Sequence, residues 1–129
     1  FRHCYNPIKI SKEMIVMLEM KTQFVDAVFL SSMDDEGEYH PITILISHGE
    51  ITGRPFEVKR PSDGPLNQIQ LACWGLQFVE GADPFNPYDK RLLHLKNVTI
   101  VGNNQHRKNV NYMTVFADQI IGVLANDEQ

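Results

Sequence analysis

The chain has 129 residues, of which 12 are Lys or Arg and 16 are Asp or Glu, giving a formal net charge of −4 at pH 7. This length predicts one domain, residues 1–129, with a core that needs no disulfide bonds to be stable. An acidic chain lacks the broad excess of cations that neutralises nucleic-acid phosphates, so we do not expect nucleic acid as its partner.

The cysteine content and the hydropathy indicate where the chain resides. Cys4 and Cys73 are the two cysteines, which is fewer than a disulfide framework in a small secreted domain usually has. We therefore predict free thiols and a cytoplasmic location. No apolar run of about 18 residues occurs, so no membrane span is predicted. The first methionine is Met14, which leaves open whether residues 1–13 are native or an upstream extension.

The first predicted element is a helix that starts after Ser11, a suitable N-cap, and ends near residues 31–33. Apolar residues recur at helical spacing, which predicts one stripe that packs on another element. The stripe consists of Met14, Met17, Leu18, Phe24, Val25, Val28 and Phe29.

The stretch "ITILISHGEITGRPFEV", residues 42–58, predicts a hairpin. Ile42, Ile44 and Ile46 alternate with other residues at period two, which is typical of a strand over residues 41–47. His48-Gly49 then predicts a two-residue turn, with the glycine supplying the positive φ and His48 facing water. Gly53 and Pro55 in the second strand, residues 50–58, predict a bulge, a sharp bend or a position at the edge of the sheet.

Residues 59–90 are predicted to be a helical insertion between strands. The segment "LNQIQLACWGLQFVEG" has helical spacing, with Leu66, Ile69, Cys73 and Leu76 on one side. Loops rich in proline flank this helix on both sides.

The last third predicts strands again. "RLLHLKNVTIVG" is a strand over residues 91–101, and "NVNYMTVFADQIIGVLA" predicts strand structure bent or broken at Ala117-Asp118. The sum is an α+β fold: an N-terminal helix followed by a small, strongly bent antiparallel barrel with a helical insertion. Closure of the sheet into a barrel would remove its exposed edges.

Catalytic and metal-binding patterns are missing from the sequence. No two histidines have a metal-ligand spacing, and no CxxC, GxSxG or phosphate-binding glycine motif occurs. Cys73 is interpreted as a small buried hydrophobe, and His94 as a surface or interface side chain on the polar phase of its strand. We predict no catalytic residue, no metal and no cofactor, hence no enzyme. The remaining enzymatic alternative is a general base at His48 or His94.

Two sets of residues are candidates for binding. The aromatic residues could either cap the core or form an interface, where aromatic side chains are enriched. The basic residues could either decorate loops or gather to bind an anion. The aromatic set is Trp74, Phe78, Phe85, Tyr88, Tyr112 and Phe116, and the basic set is Arg54, Lys59, Arg60, Lys90 and Arg91.

The hairpin at residues 42–58, followed by "LLHLKNVTIVG" and "NYMTVFADQIIGVLA", resembles the Sm-like family. That resemblance implies a leading helix and a five-stranded, strongly bent (Sm/SH3-like) open barrel. It also implies ring formation, through pairing between the last two strands of neighbouring subunits. The RNA-binding motifs of the family have no counterpart here, because no Asn follows Asp89 in "DKRLL" and Ala117-Asp118 stand where the family has Arg-Gly.

The segments "LLHLKNVTIVGNN" and "FADQIIGVLA" are also similar to gas vesicle accessory protein U, over residues 18–124. That resemblance implies an assembly-related, non-enzymatic role. Our hypothesis is therefore a homo-oligomeric small-barrel protein that acts as an adaptor or assembly factor and that could have a protein partner. The alternative is an Sm-like module that binds nucleic acid or an anionic ligand through the basic set.

Overall fold

A computed structural model of the chain describes residues 11–33, 38–62, 67–86, 89 and 91–124. Within these ranges the fold is α+β, as predicted. The elements are α1 (Lys12–Ser31), β1 (Ile42–Ile46), β2 (Gly49–Pro55), α2 (Gln68–Leu76), β3 (Leu92–Gly102), β4 (Arg107–Phe116), a 3₁₀ turn (Ala117–Gln119) and β5 (Gly122–Leu124).

Helix α1 begins and ends where the sequence predicts. The Ser11 hydroxyl accepts a hydrogen bond from the Met14 N–H at 3.1 Å, which satisfies a backbone donor of the first turn. Of the predicted stripe only Val25 and Phe29 are buried, whereas Met14, Met17, Leu18 and Phe24 are exposed. A helix of 20 residues is about 30 Å long, and the core reaches only its second half.

The five strands form one antiparallel sheet with the order β4-β3-β2-β1-β5. Strand β5 pairs with β1 through three residues, Thr43 lying opposite Leu124. No pairing joins β4 to β5 within the described residues, so the expectation of a sheet closed into a barrel was wrong. Each edge strand pairs with a single neighbour, and no other described strand pairs with its outer side.

The β1–β2 turn lies one residue earlier than predicted. Ile46 pairs with Gly49, so the turn residues are Ser47 and the exposed His48. Gly49 has φ +152°, and a Cβ there would lie 2.1 Å from the Val101 carbonyl oxygen. The glycine is therefore needed for the close approach of β2 to β3 as well as for its backbone conformation.

The predicted irregularity at Gly53 is confirmed as a β-bulge. The register between β2 and β3 shifts between Thr52 and Arg54, so Gly53 faces both Asn97 and Val98. Asn97 has φ +52°, as expected where a bulge residue is left-handed. Strand β2 ends soon after, at Pro55 rather than near residue 58.

The two faces of the sheet differ in polarity. The inner face packs on α1 through a cluster of apolar side chains, whereas the outer face carries hydroxyl and amide groups. Thr43 and Thr52 place their Oγ1 atoms 2.8 Å apart across β1 and β2, and Thr99 donates to Asn109 across β3 and β4. The inner cluster consists of Val25, Phe29, Ile44, Ile51, Leu93, Leu95, Val98, Val115, Ala117 and Ile120.

The insertion between β2 and β3 places α2 on the outer face of the β3–β4 hairpin. Asn67 caps the helix in a capping box, accepting from the Gln70 N–H at 2.7 Å while the Gln70 side chain accepts from the Asn67 N–H at 3.1 Å. Helix α2 ends at Leu76, earlier than the apolar pattern indicates, and Cys73 is its buried residue. The break at Ala117-Asp118 is confirmed, since the 3₁₀ turn separates β4 from β5 there.

Candidate functional site

Two cations face each other across β2 and β3, immediately after the bulge. Arg54 pairs with Lys96, so both side chains lie on the outer face. Both are half-buried, and neither makes a hydrogen bond or an ion pair with another described residue. Like charges placed directly opposite each other destabilise a sheet. The pair is therefore a feature that folding alone does not favour.

A groove of about 320 Å³ opens beside this pair, where the chain leaves β2. We call it the β2–β3 groove. One of the carboxylates in its lining, Glu57, accepts a hydrogen bond from the Tyr39 hydroxyl, with 3.3 Å between Oε1 and the hydroxyl oxygen. Partial burial and the adjacent Glu57 together raise the pKa of Tyr39 to about 12. The lining of the groove includes Tyr39, Arg54, Phe56, Glu57, Lys59 and Lys96.

A second pocket of about 290 Å³ adjoins the groove and shares Phe56, Glu57 and Lys59 with it. The guanidinium of Arg60 lies 5.0 Å above the Phe85 ring centroid and donates from Nη1 to Gln77 at 3.2 Å. The rings of Phe56 and Tyr112 meet edge to face with centroids 5.5 Å apart. These ring contacts restrain Phe56, which lines both pockets, and Phe85, which lines the second.

Arg91 does not join the other basic residues. Its guanidinium binds both carboxylate oxygens of Asp89 and donates to the Gly81 carbonyl at 3.0 Å. The hydrogen bond to Asp89 raises the pKa of Arg91 above its ordinary value. Arg91 therefore fastens the insertion loop to the start of β3, and its role in binding stays a prediction. Lys90 lies outside the described residues.

The aromatic set is divided between two places. Trp74 lies on α2 and Phe78, 77% exposed, lies just beyond it, whereas Tyr112 and Phe116 lie on the edge strand β4, 47% and 58% exposed. Phe85 is half-buried under Arg60. Tyr88 lies outside the described residues. Tyr112 and Phe116 also line a pocket together with residues of α2, so they lie beside the helix that carries Trp74. The aromatic interface stays a prediction.

A buried polar cluster lies under α2, and the prediction for His94 was wrong. His94 is only 8% exposed, with Nδ1 2.8 Å from the Thr114 hydroxyl and Nε2 4.0 Å from the Cys73 sulfur. Its strand phase is the polar one, as the sequence indicates, but α2 covers that face. The capping signal at Asn67 located the helix, and no sequence signal placed it over His94.

The geometry of this cluster supports a structural role. Cys73 is buried, as predicted, and its burial raises the pKa of the thiol because a thiolate would lose its hydration there. A protonated thiol is a weak nucleophile. The cluster therefore holds α2 against β3 through an S–H group, an imidazole and a hydroxyl.

Comparison with known proteins adds no family. No protein-family model matches the chain, and a search of curated proteins gives no match. Across the residues that the structure describes, no group of three or more His, Cys, Asp or Glu is placed to hold a metal ion. None of the helices formed by these residues is both long and apolar enough to cross a membrane.

Proposed function

We propose that the chain is a non-enzymatic protein that self-associates through the open edges of its sheet and serves as an adaptor or assembly factor. The observation that carries this proposal is the strand order, in which β4 and β5 are the two edges and do not pair with each other within the described residues. An open edge presents unpaired N–H and C=O groups that can pair with a strand of another chain.

The side chains along these edges favour contact at one end of β4. Arg107 and Lys108 lie at its start, and charges of this kind discourage pairing between edges. The other end carries Tyr112 and Phe116, and Ile121, just before β5, is 68% exposed. Apolar side chains next to open backbone groups support pairing between the second half of β4 and the β5 of a second copy.

The two family resemblances support the same role. A leading helix, five strands and free last strands are what the Sm-like resemblance implies, together with association of β4 and β5 between neighbouring subunits. The resemblance to gas vesicle accessory protein U adds an assembly-related role. The Sm-like interpretation and the adaptor role stand here as proposals, which the oligomeric state tests first.

The test is sedimentation of the purified chain at tens of micromolar. We expect an oligomer, and we expect Phe116→Lys to convert it to monomer, because a lysine at the edge resists pairing of strands. The matched control is Phe78→Lys, the same change at an exposed aromatic residue of the insertion.

The control should remain oligomeric. A wild-type monomer would contradict self-association. If Phe78→Lys disrupts the oligomer and Phe116→Lys leaves it intact, the interface lies on the insertion and not on the sheet edge.

A further inference from the structure

We propose that the β2–β3 groove is an anion site that holds the phosphate group of a small ligand, with Arg54, Lys59 and Lys96 as its cations. This inference goes beyond self-association and does not depend on it. The described lining of the groove comes from β2, β3 and the segments that precede β1 and follow β2, and it includes no residue of the edge strands β4 and β5.

The opposed cations are the first step of the argument. Arg54 and Lys96 occupy one cross-strand pair, a position where opposite charges stabilise a sheet and like charges destabilise it. No described carboxylate forms an ion pair with either of them. An anion bound between the two side chains would turn their repulsion into attraction to a shared partner.

The local charge balance is the second step. Among the described residues, three cations line the groove, Arg54, Lys59 and Lys96, against the two carboxylates Glu38 and Glu57. Glu57 is turned toward the Tyr39 hydroxyl. The described lining thus has an excess of positive charge in a chain whose net charge is −4. Because Arg54 and Lys96 are half-buried, their charges act with less screening than charges on an open surface, whereas Lys59 is exposed.

The form of the groove selects the ligand class. A guanidinium binds phosphate oxygens in a bidentate manner, and the two ammonium groups can contact the remaining oxygens. A volume of about 320 Å³ is larger than one phosphate ion needs and lies in the range of small-molecule sites. The rest of the ligand would extend along Phe56 toward the adjoining pocket under Arg60 and Phe85.

The experiment compares inorganic phosphate, a nucleoside 5′-monophosphate, the matching nucleoside and two oligonucleotides of different length. Each is titrated into the full chain by calorimetry at constant ionic strength. We expect saturable binding of the two small phosphate-bearing probes and none of the nucleoside. Arg54→Gln and Lys96→Gln should each weaken binding about tenfold, as for loss of one charge-assisted contact. Arg107→Gln, which removes one cation at the far end of β4, is the control and should bind as wild type.

Thermal unfolding supplies a second readout with the opposite sign. Without ligand, Lys96→Gln should raise Tm by about 1–4 °C, because it removes the repulsion with Arg54. Phosphate at constant ionic strength should raise the Tm of wild type and of Arg107→Gln more than that of Lys96→Gln.

Three results would overturn the proposal. One is no saturable binding of phosphate or of the mononucleotide at millimolar concentration. Another is an equal loss of binding in Arg107→Gln, which would show general charge attraction. The third is oligonucleotide binding that tightens with length, which would make the groove part of a nucleic-acid surface. A monomeric chain that still binds phosphate would reject only the proposed self-association.

Discussion

Two glycines of this chain tolerate a side chain very differently. Gly49 lies at the start of β2, where its φ is +152° and the Val101 carbonyl oxygen occupies the space that a Cβ would need. Gly75 lies within α2, and no atom is found within 4 Å of the place where its Cβ would be. The first glycine is a requirement of the sheet, whereas the second only loosens a helix.

Gly49→Ala and Gly75→Ala should therefore change stability in opposite directions. We expect Gly49→Ala to lower the free energy of unfolding by about 2–4 kcal/mol, through backbone strain and displacement of β3. Gly75→Ala should raise the same free energy by about 0.5–1 kcal/mol, because alanine restricts the unfolded chain and favours helix. Urea denaturation of the two variants checks both signs, and a similar loss in both would contradict this account.

Tyr39 links the stability of the fold to alkaline pH. Its ring packs on Phe29 of α1, with centroids 4.4 Å apart, and its hydroxyl donates to Glu57. The unfolded chain releases the phenolic proton near pH 10.0, whereas the folded chain holds it until about pH 12. The stabilising contribution of this proton is therefore complete below pH 10 and is lost as the pH rises toward 12.

Glu57→Gln should lower the pKa of Tyr39, because it removes the carboxylate charge and leaves a neutral amide oxygen, a weaker acceptor, for the hydrogen bond. The midpoint should stay above 10.0, since partial burial is the larger cause of the rise. Ultraviolet absorbance of the tyrosinate measures it, with Tyr39→Phe identifying the signal. A Glu57→Gln midpoint equal to that of wild type would show that Glu57 has no part in the shift.

At the scale of elements, α1 is held by its second half. Val25 and Phe29 enter the core, and the Lys21 ammonium donates to the Asp118 carbonyl at 3.0 Å in the turn before β5. Residues 11–20 are all exposed, although several of them are apolar. The hydrophobic pattern of the sequence therefore overstates how much of the helix packs on the sheet.

Substitutions along α1 should show this division. Phe29→Ala should cost about 3–5 kcal/mol of the free energy of unfolding, because it leaves a cavity in the core. Met17→Ala should change it by less than about 0.5 kcal/mol, since Met17 is exposed and contributes little to packing. Urea denaturation at a protein concentration where the chain is monomeric measures both changes in the free energy of unfolding. A loss above about 1 kcal/mol for Met17→Ala would indicate a contact that this arrangement of α1 does not contain.

The sequence predicts local structure well in this chain, because local structure depends on nearby residues. The cap at Ser11, the alternation at Ile42–Ile46, the bulge at Gly53 and the break at Ala117-Asp118 all follow from local chemistry. The burial of His94 does not, because it depends on where an insertion helix folds back onto the sheet. The opposition of Arg54 and Lys96 was missed for a related reason, since it depends on a register shifted by one residue at the bulge.

At the scale of the whole molecule, the faces and the edges of the sheet have different roles. Its inner face holds α1, its outer face is covered by α2 over the β3–β4 hairpin, and the β2–β3 groove lies beyond that cover. No described strand pairs with the outer side of either edge strand. Association and anion binding are thus proposed for separate parts of one sheet, so that a variant can remove either of them alone.

The pairing of β5 with β1 also bears on the order in which a ribosome produces the sheet. Strands β1 to β4 pair with their neighbours in chain order, and each can be joined soon after it emerges. Strand β1, however, receives its second neighbour only when Gly122–Leu124 has been synthesised. Until then the β1 edge at residues 43–45 lacks β5. Strand β5 is therefore the strand that covers this edge and keeps it from pairing with other nascent chains.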